Sequence, residues 1–114
     1  LRRKMYNAVV GTHIDTDQDE YDWCSRIWMQ ERAIICREGQ GIDDDWMYDC
    51  VFEDDSYKMF GMTREGLRAG IDQYYDLRGL SKKTGYPLRS ELERLDLKDV
   101  ADELEQKWGL DLSE

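Results

Sequence analysis

From Glu20 to Glu38 the apolar side chains Trp23, Cys24, Ile27, Trp28, Ile34 and Ile35 recur near every third or fourth position, while Asp22, Arg26, Gln30 and Arg37 fall mostly elsewhere. That period belongs to an α-helix with one buried stripe; a half-buried strand would alternate at every second residue. The run also has helix punctuation. Thr16 stands where it can cap free backbone N–H groups, Asp17, Asp19 and Glu20 suit the positive end of the helix dipole, and Gly39 follows as a stop. The same grammar recurs twice. Met62 and Thr63 open a run in which Leu67, Ile71, Tyr74 and Tyr75 share a face, and Arg78-Gly79 closes it. Leu97, Val100, Ala101, Leu104 and Trp108 make a second such face, with Asp99, Asp102, Glu103 and Glu105 expected to point outward and Gly109 to end it.

Weaker signals fill the rest. Arg2 to Val10 is helix-compatible and ends at Gly11-Thr12, but Arg2-Arg3-Lys4 sits at the end the dipole disfavours, as in a helix whose start lies upstream; an excised fragment fits this. Pro87 ends a turn, and Ser90-x-x-Glu93 has the form of a capping box for a short helix over Glu91 to Leu95. Gly66 and Gly70 are four apart in the Thr63 helix, which predicts close approach of another helix, since each glycine otherwise costs about 1 kcal/mol there. Between Gln40 and Met62 periodicity is lost and Asp43, Asp44, Asp45, Asp49, Glu53, Asp54 and Asp55 precede the first base, Lys58. This is a long acidic connection, with Trp46, Tyr48, Val51 and Phe52 expected to pin it to the body. No segment alternates like a strand and none repeats. The expected fold is all-α, an irregular bundle of four to five helices over residues 1–114 as a single helical domain.

Sixteen bases against twenty-six acids give a net charge of −10, which disfavours nucleic acid and anionic membranes as partners. The longest apolar run is Ala33 to Cys36, far short of the ~20 residues of a spanning helix, and no leader pattern opens the chain, so a cytoplasmic location is expected. Cys24, Cys36 and Cys50 are odd in number and widely spaced, with no Cys-x-x-Cys pair to hold a metal or cluster; reduced, buried thiols acting as small hydrophobes account for them.

Candidate chemistry is sparse. Asp15-x-Asp17-x-Asp19 invites a calcium loop, but the sixth and twelfth places hold Glu20 and Arg26 instead of glycine and a bidentate acid, so helix-entry acids explain it better. Asp43-Asp44-Asp45 reads as a solvated loop, and the lone His13 has no serine or cysteine motif beside it. Arg26, Glu31, Arg32, Arg37 and Glu38 offer three- and four-residue spacings for surface pairs worth a few tenths of a kcal/mol; buried against another domain they would be orienting contacts. No catalytic, cofactor-binding or metal residue is assigned.

Several segments in order carry a resemblance. Arg26-Ile27-Trp28-x-x-Glu31-Arg32-Ala33, Arg37-Glu38-Gly39 followed by Asp44-Asp45, Asp72-x-Tyr74-Tyr75-x-x-Arg78-Gly79, and Thr84-Gly85-x-Pro87 with Arg89 together resemble the C-terminal domain of the aldehyde:ferredoxin oxidoreductases, across about Arg26 to Gly109. The chain departs from that pattern at Ile34-Ile35, Trp46-Met47 and Leu80-Ser81, which suggests a divergent branch and leaves the aldehyde unspecified. The resemblance implies an intact enzyme in which a tungsten or molybdenum bis-pterin oxidises an aldehyde to a carboxylic acid and an iron-sulfur cluster passes the electrons to ferredoxin. It implies that the cluster cysteines and pterin contacts lie upstream, so that no cofactor belongs to this fragment. The expected partners are the enzyme's upstream domains, ferredoxin for the intact enzyme, and a further copy if the enzyme is a homo-oligomer. The alternative is a stand-alone acidic helical module that binds a protein through its aromatic face.

Overall fold

A computed structural model of the chain describes residues 1–54 and 61–114. Asp55 and Lys58 of the acidic connection lie outside the described residues. Six α-helices form among those described: α1 Arg2–Val10, α2 Asp17–Arg37, α3 Cys50–Glu53, α4 Arg64–Arg78, α5 Arg89–Arg94 and α6 Lys98–Gln106, with a 3-10 turn at Ile42–Asp45. No strand forms among them; a single antiparallel bridge joins Leu80 and Pro87. The all-α expectation holds.

The expected caps hold for the two long helices. Thr16 Oγ1 accepts the Asp19 N–H at 3.1 Å while the Asp19 carboxylate accepts the Thr16 N–H at 2.8 Å, so this acid serves helix entry. Thr63 Oγ1 accepts the Gly66 N–H at 3.0 Å. Helix α4 ends at Gly79, whose φ of 68° is left-handed and whose absent Cβ would fall 2.5 Å from Glu91 Cγ; both facts exclude a side chain there. The basic start of α1 has a local explanation: Arg2 pairs with Glu20, and Arg3 with Asp17 and Glu20, at the acidic entry of α2. Asn7 fixes the intervening loop by accepting the Ile14 N–H and donating to the Ile14 carbonyl, each at 3.0 Å.

The core is built from α2, α4, α5 and α6 and the segments between and after them. Met29 and Ala33 of α2, Tyr75 of α4, Leu92 of α5, and Ala101 and Leu104 of α6 pack with Leu80, Leu95, Leu97 and Leu112. The C-terminal segment returns to this core, where the Arg89 N–H donates to the Leu112 carbonyl at 3.1 Å and Leu112 is buried. Helix α1 buries no residue. The radius of gyration is 17.4 Å with extents of 51 × 40 × 20 Å, where a compact chain of this length would give about 13 Å. The helices therefore spread over a surface larger than their own core can cover.

Four expectations are corrected. Ser90 does not cap: α5 starts at Arg89 after Leu88 without a side-chain cap, because Glu93 accepts Arg89 Nε at 2.9 Å instead of reaching back to the backbone. Asp102 and Glu105 do not simply face water but both receive Arg89, which ties α6 to α5. Tyr48 pins nothing, being 86 % exposed, whereas Trp46 stacks on Phe52 with centroids 5.8 Å apart. Among the described residues no helix approaches the two glycines: a Cβ at Gly70 would meet none of them within 4 Å, and one at Gly66 would meet only Thr63 Oγ1. Gly70→Ala is therefore expected to stabilise the chain by about 0.5–1 kcal/mol, since helix propensity improves with no clash. A higher urea midpoint at unchanged slope checks it.

Candidate functional site

Four segments meet around one guanidinium. Along α2 the buried positions Ser25, Met29, Ala33 and Cys36 form the inward stripe, and Arg32 falls within it rather than on the solvent face, at 9 % exposure. Its Nε and one terminal nitrogen donate to the Gly85 carbonyl at 3.1 and 2.9 Å. Both terminal nitrogens reach the Asp45 carboxylate, one at 2.9 Å and the other to the oxygen that also accepts the Tyr75 hydroxyl. Asp45 is delivered by the 3-10 turn, which hangs from the Ile42 N–H to Thr84 carbonyl bond of 2.9 Å and the Gly41 N–H to Asp44 carboxylate bond of 2.8 Å. Gly85 is presented by a turn closed through its N–H to the Ser81 carbonyl at 2.8 Å.

The electrostatics follow from burial and these bonds. Burial works against the charge on Arg32, but the bond to Asp45 and the neighbouring Cys36, Asp45 and Tyr75 hold its proton more tightly than usual. For Asp45 burial pushes upward, and the Arg32 and Tyr75 hydrogen bonds outweigh it, leaving the carboxyl below its ordinary 3.8. Burial, then the bond to Asp45, pushes the Tyr75 phenol up, and burial pushes the Cys36 thiol up. A carboxylate so paired is a poor base and such a thiol a poor nucleophile, and the bonds of the cluster fasten the four segments together. Because the folded Asp45 holds its proton less tightly than the unfolded chain does, its stabilisation is complete above pH 3.8 and is lost as pH falls through the lower folded value. Asp45→Asn is expected to flatten the acid limb of stability against pH, measured by urea unfolding at successive pH values.

Beside this cluster a second one forms, from Trp28, one helical turn before Arg32 on α2, and from Tyr74 and Arg78, on either side of Tyr75 on α4. Trp28 and Tyr74 meet edge to face with centroids 6.0 Å apart, and the Arg78 guanidinium lies over both rings, at 4.8 and 5.6 Å. Arg78 Nε is buried with no acceptor among the described residues. A cleft runs alongside, lined by Leu67, Gly70, Ile71, Tyr74 and Leu80, with Arg32 and Asp45 at its side.

The other residues singled out from sequence do not converge. Cys36 is buried beside the Gly85 carbonyl at 3.9 Å, but Cys24 and Cys50 are exposed, against the expectation of buried thiols. His13 is exposed. Asp17 and Asp19 are taken up by Arg3 and the helix cap, and Asp43-Asp44-Asp45 divides, Asp44 capping the 3-10 turn and Asp45 turning inward. Among the described residues no three His, Cys, Asp or Glu side chains gather at one point. What periodicity missed was Arg32 as a buried residue; its place in the stripe of Met29, Ala33 and Cys36 was the available signal.

The two clusters join the paired segments of the resemblance, since Trp28 and Arg32 come from one motif and Tyr74, Tyr75 and Arg78 from another. No curated protein and no solved structure matches the chain. The family model described as aldehyde ferredoxin oxidoreductase, domains 2 & 3, matches residues 2–97, beginning before the motifs and ending ahead of α6. With the greater part of its 114 residues covered by that match, the chain belongs to the aldehyde ferredoxin oxidoreductase family.

Proposed function

We propose that this chain is the helical scaffold of an aldehyde:ferredoxin oxidoreductase-type enzyme, a single C-terminal domain in the cytoplasm that packs the shell around a cofactor cavity built on other domains. The intact enzyme converts an aldehyde to a carboxylic acid and hands the electrons to ferredoxin, using a tungsten- or molybdenum-pterin and an iron-sulfur cluster. This chain's own residues would supply no ligand to either group, and in isolation it would be inactive. Their part is mechanical: Arg32, Asp45 and Tyr75 hold α2, the acidic segment and α4 in fixed relation, which fixes the surfaces presented to the rest of the enzyme.

The observation that supports this most is apolar surface left uncovered on several elements at once. Val9 of α1, Ile27 and Ile34 of α2, and Leu77 of α4 are each about half exposed or more, on a body too spread out to cover them. Several such faces on one small chain mark surfaces for other protein. A self-contained module would present one such face on an otherwise polar surface.

The test is aldehyde-dependent reduction of a viologen dye by the enzyme with and without this chain. Turnover is expected when chain and remaining domains are together, and none from the chain alone. Turnover by the chain alone, or undiminished turnover and heat resistance in an enzyme lacking it, overturns the proposal.

A further inference from the structure

We infer that the Trp28–Tyr74–Arg78 stack is a docking contact for an aspartate or glutamate side chain carried by another domain of the same enzyme, within a segment whose apolar residues cover Tyr74 and Leu77. This rests on the scaffold reading, and names one contact within it.

Arg78 is set apart by what it lacks. Eight of the ten arginines have a carboxylate partner within the chain. Acids are in excess by ten, so their supply does not limit pairing. Among the described residues Arg78 nevertheless forms no ion pair or hydrogen bond, and it alone leaves a buried side-chain nitrogen without an acceptor. Arg26, the other arginine without an ion pair, lies over Trp23 at 5.9 Å and leaves no such nitrogen.

The geometry explains the isolation. The Arg78 guanidinium carbon lies 4.8 and 5.6 Å from the Trp28 and Tyr74 ring centroids, a cation–π contact with each, while the neighbouring Asp72 and Asp76 pair with Arg68 and Lys82 instead. Ring contacts use none of its N–H donors, and of its nitrogens only Nε is buried, so the terminal N–H groups are left for a carboxylate, which engages such an edge with two parallel bonds. A guanidinium already partly stripped of water has less hydration to lose on binding than a fully exposed one, so a carboxylate gains more here than at an exposed arginine.

The flanks identify the carrier. Tyr74 is 42 % and Leu77 70 % exposed, on the same side of α4 as Arg78. A small free carboxylate would leave both wet, whereas a protein segment covers them while it delivers the charge. The net charge of −10 turns away polyanions, so the acid arrives singly among apolar residues.

The experiment places a photo-crosslinking benzophenone amino acid at Leu77, and separately at Ile34, in the enzyme assembled from this chain and its remaining domains, and maps the captured peptides by mass spectrometry. Leu77 is expected to capture a peptide of another domain that contains an acidic residue. Arg78→Gln is expected to reduce that capture about tenfold and to leave capture at Ile34 unchanged. Arg78→Lys, which keeps the charge and a lower risk of misfolding, is expected to retain part of the Leu77 yield, and reversing the captured acid to arginine in an Arg78→Glu background is expected to restore it. Capture at Ile34 but none at Leu77 overturns the contact and leaves the scaffold reading intact. Capture at neither position overturns both. Capture of a second copy of this chain at Leu77, or a yield that does not change in Arg78→Gln, also overturns the contact.

Discussion

Arg32→Ala is expected to lower the stability of the chain by roughly 3 kcal/mol, the lower end of the range for breaking a buried ion pair, because it strands three groups at once. Asp45 loses its cation, the Gly85 carbonyl loses both donors, and the Tyr75 hydroxyl is left as the sole partner of a carboxylate drawn partly out of water. Asp45 keeps 28 % of its side-chain exposure, so water can relieve part of the cost and the upper end of the range does not apply. Replacing both partners, Arg32→Met with Asp45→Leu, is expected to recover much of the loss, since no uncompensated charge remains. Urea unfolding of the three variants decides the matter. A loss under about 1 kcal/mol for Arg32→Ala would equate this pair with an exposed one and remove the reason for calling it a fastening.

The consequence for the enzyme is geometric. Asp45 ties the 3-10 turn of the acidic connection to both α2 and α4, beside the Arg64 pairs with Asp49 and Glu53, and the same guanidinium holds the turn at Gly85. Without Arg32 the 3-10 turn would keep its bond to Thr84 and the Tyr75–Asp45 bond but lose its tie to α2, so the side of α4 that carries Tyr74, Leu77 and Arg78 would be referred to α2 by the Trp28–Tyr74 contact without the ion pair. Weakening the pair should therefore loosen the fit to the other domains before it unfolds the helices.

How far the sequence disclosed this depends on the range of each interaction. Thr16 with Asp19, Thr63 with Gly66, and Arg78 with Gly79 are caps settled within four residues, and local spacing reveals them. The Ser90 box failed because a competitor outside the pattern, Arg89, took Glu93. The Gly66/Gly70 pair failed for the opposite reason: spacing states that something can approach, and nothing among the described residues does. Arg32 with Asp45 and Gly85 spans 13 and 53 residues, and within the run Asp43-Asp44-Asp45 no local property tells which carboxylate turns inward. Once Arg32 is seen to lie on the stripe of Met29, Ala33 and Cys36, a buried partner becomes necessary, although its identity still does not follow. The Trp28–Tyr74–Arg78 stack had the same partial visibility, as both segments carried the family pattern without stating that they touch.

Gly85→Ala is expected to cost roughly 3–4 kcal/mol, from two sources that can be separated. The first is conformational: at φ +76° a non-glycine residue pays about 1–2 kcal/mol for the left-handed region. The second is steric. An added Cβ would lie 2.8 Å from the Ile42 backbone nitrogen, 2.9 Å from an Arg32 terminal nitrogen and 3.0 Å from the Tyr75 hydroxyl, so backbone as well as side chains must move, and those that move are the members of the Arg32 cluster. Overpacking of this kind costs typically 1–3 kcal/mol. Because part of the steric cost falls on the Arg32 guanidinium and the bonds that Arg32→Ala removes, the two changes should not fully add: the double variant should fall below Arg32→Ala by less than Gly85→Ala costs alone, keeping the conformational part and the clash with the Ile42 nitrogen. Full additivity in the urea midpoints would show that Gly85 and Arg32 act independently, and the four-segment fastening would have to be given up in favour of two unrelated contacts.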